Sequence, residues 1–313
     1  MRMRNILFFP GMFLFVLSQS PVFPDVNDAL LKVSSPAYLP YAGDFFFRND
    51  WTYENTSSRT EFPMQTLPNS TVWPAATISA PKTEYYTELS FKYGLTDRVS
   101  LGAGGRYMLR SQAETKYEGG AGLPASTSTE GNGLYQPTVA ATFRLLGARS
   151  NEWYLNVEGR FQPGMSSGPA FASAQNTFVG LAGGGWNSGD FTCMLALYGG
   201  YSAAKSVNGI NYAERDIAGG QLMMQFDFED FYLRPVGGFM KFFDSTSESN
   251  PILRQIQPFV KGEVGFFVGE DTVLSAAVEQ KLPLSAAVST NGLSGKSYYE
   301  GMLTVSLSLS SVF

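Results

Sequence analysis

Histidine is missing from this chain altogether, and its absence removes most of the catalytic chemistry a protein can perform. Ser-His and Asp-His machinery cannot be assembled without it. Cysteine occurs once, at Cys193, so no intramolecular disulfide can form and no His/Cys metal site is visible. Carboxylate pairs are the remaining catalytic option. Glu84 and Glu88 share one face of a predicted strand, about 13 Å apart from end to end, too far to share a proton or act as a glycosidase pair. The sequence therefore points away from an enzyme, and no metal or cofactor is expected.

Charge is also scarce, at 16% of residues, against roughly 25% in soluble domains. The net charge of -5 and the lack of any basic run exclude nucleic acid as a partner. Long apolar runs are missing too. No stretch reaches 18 uninterrupted apolar residues, so the sequence contains no transmembrane helix. Low charge without apolar runs suits a membrane β-barrel, in which only every second strand residue meets lipid. The mean hydropathy of -0.07 fits that arrangement.

What the chain does have is alternation, most clearly at its end. Leu303, Val305, Leu307, Leu309 and Phe313 share one parity, and Thr304, Ser306, Ser308 and Ser310 take the other. Period two over this length is a strand with one apolar and one polar face, long enough to cross a bilayer, which takes about 9–11 residues. An edge strand of a soluble sandwich is the competing reading. A chain that stops on an aromatic residue in such a strand resembles the Gram-negative outer-membrane β-barrels. The resemblance implies residence in the bacterial outer membrane, contact with its lipid, and Phe313 as part of the signal that the barrel-assembly machinery reads.

The same pattern recurs from about residue 43 onward. Twelve strands are predicted, at 43–55, 82–95, 98–110, 134–146, 152–163, 174–187, 190–203, 213–227, 230–243, 254–268, 272–286 and 299–313. Short turns, such as Gly94 to Arg98 and Asn187 to Asp190, alternate with longer connections at 56–81, 111–133, 164–173, 204–212, 244–253 and 287–298. Short periplasmic turns and longer outer loops, with an even strand number, are the organisation of outer-membrane barrels. The expected fold is all-β: an antiparallel up-and-down transmembrane barrel of about 12 strands. Gly119 to Gly133, nearly devoid of apolar residues, is expected to be a mobile outer loop.

The N-terminus reads as a secretory signal over 1–20. Arg2 and Arg4 supply the charge, and Ile6 to Leu17 form an apolar segment too short to span a bilayer. Ser18 and Ser20 mark one cleavage position, Pro21 opposes it, and Ala29 marks a later one, so the cut is expected between 20 and 29. Residues 21–42 are expected to be a periplasmic lead-in and 43–313 the barrel.

Parity assigns the faces. Trp51, Leu89, Leu101, Trp153 and Leu195 fall on the apolar, lipid-facing side. The opposite side collects the cations Arg48, Lys92, Arg106, Arg110, Arg144, Arg160, Arg234, Lys261 and Lys281, and the acids Asp50, Glu84, Glu88, Glu158, Glu263 and Glu279. Neighbours two apart on one face, such as Glu158 and Arg160, suggest a structural network of ion pairs. The cationic excess suggests a narrow channel that favours anions. Solute-contacting candidates are Arg106, Arg110, Arg144, Arg160, Lys261 and Lys281. The first three lie on neighbouring strands without nearby acids and are expected to cluster.

Tyr93-Gly94-Leu95-Thr96-Asp97-Arg98-Val99-Ser100-Leu101-Gly102 resembles a hairpin common in transporter barrels of the phenol-degradation (MetA-pathway) type. Physically it is a tight turn, with Asp97 read as closing an Asx bond. The resemblance implies uptake of small molecules and carries no substrate residue; small solutes, anionic or aromatic, are the expected cargo of the channel. A non-conducting structural or adhesin-like barrel is the alternative.

Overall fold

The computed structural model describes residues 16–17, 39–66, 72–119, 126–147, 153–165, 175–188, 190–207, 210–212, 214–244, 255–268, 271–290 and 293–313. Among them twelve long strands form one antiparallel ring. They are Phe45–Phe62 (β1), Ala76–Thr96 (β2), Val99–Gly119 (β3), Ser126–Leu146 (β4), Trp153–Gln162 (β5) and Thr177–Ser188 (β6). The ring continues through Phe191–Ser202 (β7), Arg215–Asp227 (β8), Phe231–Asp244 (β9), Gln257–Phe267 (β10), Thr272–Lys281 (β11) and Leu293–Val312 (β12). β12 pairs with β11 on one side and β1 on the other, which closes the barrel. Closure leaves no strand edge within the ring, the only way a sheet can satisfy its backbone in lipid.

The wall sorts its side chains as the alternation requires. Leu101, Val139, Phe143, Val260, Val278 and Leu307 point outward and are exposed, whereas Ser100, Thr142, Gln225 and Ser308 point inward and are buried. Aromatic rings gather near the periplasmic rim on the outer face. Phe45 and Phe47 lie 5.8 and 5.3 Å from Phe91, and Phe191 lies 5.2 Å from Phe226. Tyr53 against Tyr85, at 5.0 Å, stands nearer the outer rim. Two rings of aromatics bounding an apolar band are the girdles of a membrane barrel.

The strands are longer than their apolar patterning. The loops expected at 56–81, 111–133 and 287–298 are largely strand. β1 runs on to Phe62, β2 begins at Ala76, β3 reaches Gly119, and β4 begins at Ser126. Ser126 to Gly133, expected to be mobile loop, pairs with Met108 to Lys116. Leu284–Thr290 continues β11 past Pro283 and pairs with the start of β12. Above the lipid both faces of the wall meet water. The alternation therefore fades while backbone pairing continues.

The lead-in is anchored. Leu39 is buried, and Gly43 donates its N–H to the Gly94 carbonyl at 2.8 Å. Gly94 is a glycine because a Cβ there would stand 1.7 Å from the Tyr41 carbonyl oxygen. Asp97 does not close the Asx turn expected of it. Its Oδ1 accepts the Ala42 N–H at 3.4 Å, and Thr96 Oγ1 accepts the Arg98 N–H at 3.2 Å. Val16–Leu17, within the segment read as a signal, form a two-residue strand beside Trp153–Tyr154 and Gly185–Trp186. The rest of that segment and its cleavage position lie outside the described residues.

Candidate functional site: the charged lumen

Near the periplasmic end two clusters of ion pairs line the lumen. On one wall Glu158 of β5 is gripped by Lys92 of β2 and by Arg160 of its own strand. Thr142 of β4 adds a hydrogen bond to Glu158 Oε2 at 2.8 Å. On the other wall Glu263 of β10 accepts Arg234 Nη1 at 2.6 Å and the Tyr232 hydroxyl at 2.7 Å. Lys261 Nζ lies 2.9 Å from its second oxygen. Arg234 also donates through Nε to Gln225 Oε1 at 2.8 Å and lies 4.4 Å from the Tyr232 ring centroid. Between the two clusters Arg48 pairs with Asp50 at 2.7 Å and donates to Ser308 Oγ at 3.2 Å.

All but Lys261 and Arg160, which lie six and seven residues in, stand within five residues of the periplasmic end of their strand. Together they make an ionic floor in which Ser100, Thr142, Asn156, Gln225 and Arg234 are sealed from water. Such burial is tolerable only because each carboxylate is multiply bonded. Breaking one partner away typically costs about 3–5 kcal/mol. Two of the pairs join different strands: Arg234 and Glu263 link neighbours β9 and β10, and Lys92 and Glu158 reach from β2 to β5 across the interior.

The outer half of the lumen is wetter. Arg106 pairs with Glu88 at 3.0 Å, and the two side chains are 30% and 44% exposed. The Arg106 guanidinium carbon lies 4.1 Å from the centre of the Tyr86 ring. Glu54 and Lys82 also face inward. The Tyr86 hydroxyl reaches Glu54 Oε2 at 3.5 Å, and Lys82 Nζ lies 2.8 Å from Glu84 Oε1. Both carry the inward parity but lie at the ends of their predicted strands, and the charged set named from the sequence does not include them.

The six cationic candidates do not form one group. Arg106 faces the wet outer half. Arg144 lies deep, its Nε 3.4 Å from Asn156 Oδ1 and its guanidinium 5.9 Å from the Tyr154 ring centre. Arg110 is on the other side of the wall. It stands opposite Tyr85, an exposed outward residue, and pairs with Glu130 at 3.3 Å. Hydrogen bonds from Gln112 and Arg110 hold the Glu130 carboxyl below the usual carboxylate range. Arg160 and Lys261 belong to the two walls of the floor. Lys281 lies above Lys261, its Nζ 3.7 Å from Met302 Sδ. The expected cluster of Arg106, Arg110 and Arg144 is therefore not assembled.

At the outer rim a concave pocket of about 710 Å³ is lined by Glu61, Phe62, Ala76, Gly119 and Lys296, among others. Two of its lining residues, Phe62 and Ala76, form a buried apolar cluster with Leu293.

Neither a family model nor a curated relative matches the chain. Among solved structures, an outer membrane channel from Pseudomonas putida F1 is similar, with a TM-score of 0.58 at 13% identity over 88% of this chain and 97% of that one. A Pseudomonas aeruginosa FadL homologue, at 10% identity over 93% and 95% of the two chains, gives 0.48. The P. putida toluene transporter TodX, at 10% identity over 90% and 93%, gives 0.41. The first of these likenesses bears on the fold, and the other two add nothing to it. By its own geometry, supported by that likeness, the chain is a closed twelve-strand transmembrane β-barrel of the outer-membrane type.

Proposed function

We propose that the protein is an outer-membrane channel that passes small solutes through its lumen, and not an enzyme. The observation that carries this reading is the wet ion pair of Arg106 and Glu88 inside a wall whose outside is apolar. Charged groups that remain open to water within a lipid-facing ring make a polar path through an apolar layer. The pocket at the outer rim would receive solute, and the ionic floor would restrict what leaves toward the periplasm. Twelve strands make a barrel between those filled by side chains and the wide porins of 16–18 strands, so the path is narrow. The hairpin at Tyr93 to Gly102 supports uptake of small molecules, and the inward cations favour anionic ones among them. In this reading the chain begins with a cleaved signal, and the barrel-assembly machinery inserts it by way of its terminal strand.

Purified protein in planar bilayers tests the reading. Small, discrete current steps are expected. A second reading, a non-conducting surface-interaction barrel, draws on the wall that β1 to β4 and β12 raise beyond the apolar band. Silent bilayers from protein that shows the heat-dependent gel shift of a closed barrel would favour that reading.

A further inference from the structure

The two walls of the floor share an imbalance. Each buried carboxylate is held by two cations. Around Glu158 stand Lys92, 12% exposed, and Arg160, 38% exposed. Around Glu263 stand Arg234, 1% exposed, and Lys261, 25% exposed. One cation of each set is buried and matches the carboxylate, and the other turns toward lumen water. Nearby charges do not cancel the surplus. Asp50 is taken by Arg48. Glu279 stands opposite Lys261 in the ladder, with Lys281 two residues further out on its strand, and Arg144 adds a cation on the Glu158 side. Cations therefore outnumber carboxylates on each wall.

The surplus charges oppose each other. β5 and β10 are five strands apart in a ring of twelve, and Arg160 and Lys261 are each one step above their buried carboxylate, toward the outer side. Arg160 and Lys261 rest on their own carboxylates; a twelve-strand barrel of ordinary tilt is roughly 24 Å across between backbone walls, so the two heads, once swung into the lumen, would stand roughly 10 Å apart. Val179, opposite Arg160 in the ladder, and Val236, opposite Lys261, put aliphatic surface beside each head.

We infer that Arg160 and Lys261 form a luminal seat for a small organic dicarboxylate, one carboxylate bound to each wall. Two single positive charges held apart match a dianion with a short aliphatic body better than a monoanion, which satisfies one wall only. Arg160 offers a planar fork suited to a carboxylate, and Lys261 a point charge. The inference rests on the channel reading and adds the class of solute to it.

Adipate, benzoate and the neutral adipamide are suitable probes, measured by calorimetry on barrel refolded in detergent. Adipate is expected to bind at least about tenfold more tightly than benzoate, with adipamide weaker still. Arg160→Gln and Lys261→Gln should each weaken adipate at least about tenfold, since each removes one charge-assisted hydrogen bond to the ligand. Both variants should fold, at some cost in heat stability, because each leaves the carboxylate its buried cation, Lys92 or Arg234. A folded band on unheated gels, lost on boiling, checks this. Arg98→Gln, at the periplasmic turn, should bind adipate like the parent. Equal binding of adipate and benzoate, adipate binding indifferent to both substitutions, or no adipate binding at millimolar concentration overturns the seat. Conductance on the same preparation separates the two ideas: current without adipate binding removes the seat and keeps the channel, and adipate binding without current does the reverse.

Discussion

Arg106 and Arg110 project from opposite faces of the same strand, although four residues of a regular strand would put them on one. Arg106 pairs in register with Glu88, and Arg110 with Tyr85. Between them β3 carries one extra residue, and the register shifts against both β2 and β4. A bulge of this kind re-aims the side chains that follow it, because side-chain direction has a period of two. Arg106 is thereby kept in the lumen, and Arg110 is delivered to Glu130 on the outside.

That relationship separates two substitutions that parity alone would equate. Arg106→Ala leaves Glu88 and Glu54 without their nearest guanidinium and should shift ion selectivity toward cations several-fold. Arg110→Ala removes a surface ion pair worth about 0–1 kcal/mol and should leave selectivity unchanged. Reversal potentials in a salt gradient check both. Equal effects would mean that the bulge does not divide the two side chains.

The ionic floor should govern the heat stability of the barrel. Glu263→Gln leaves Arg234 buried with its carboxylate partner gone and is expected to cost about 3–5 kcal/mol. The temperature at which the folded band disappears from a denaturing gel should fall accordingly. Glu130→Gln, on the exposed outer wall, should leave that temperature close to the parent value.

Tyr232 lies flat over Gly265 on the neighbouring strand, and an added Cβ at that glycine would come 2.2 Å from the ring. Gly265→Ala should therefore displace the ring from Glu263 and cost about 1–3 kcal/mol. Gly262→Ala, three residues away with nothing within 4 Å of the added carbon, is the control and should cost well under that. Indistinguishable unfolding of the two variants would show that the ring moves aside freely.

Phe313 exchanges two backbone hydrogen bonds with Phe45, each 2.9 Å, while its ring is exposed on the lipid side. Phe313→Ser keeps the backbone bonds that close the barrel and removes only the ring. Protein refolded in detergent should lose about 1–2 kcal/mol or less. The amount inserted in cells should fall several-fold if the terminal aromatic is the signal for assembly. Unchanged cellular yield would remove Phe313 from that role.

The residue pattern by itself determined the strands and their faces. Leu303 to Phe313 could be nothing but a two-faced strand. The twelve alternating segments, the short turns between every second pair, and the sorting of Leu101 outward and Glu158 inward all follow from a local period of two. The ion pairs within one strand, Arg48 with Asp50 and Glu158 with Arg160, were legible for the same reason. Tertiary structure decided what depends on partners across the ladder. The bulge that turns Arg110 outward is set by register against β2 and β4, which no local period records. The outer reaches of β3 and β4 are strand because their backbones pair, although both faces meet water and their side chains carry no alternation. Above all, the two-to-one matching of Lys92 and Arg160 to Glu158, and of Arg234 and Lys261 to Glu263, brings charges from separate strands to one depth. Only the closed ring, with its tilt and register, could place them there.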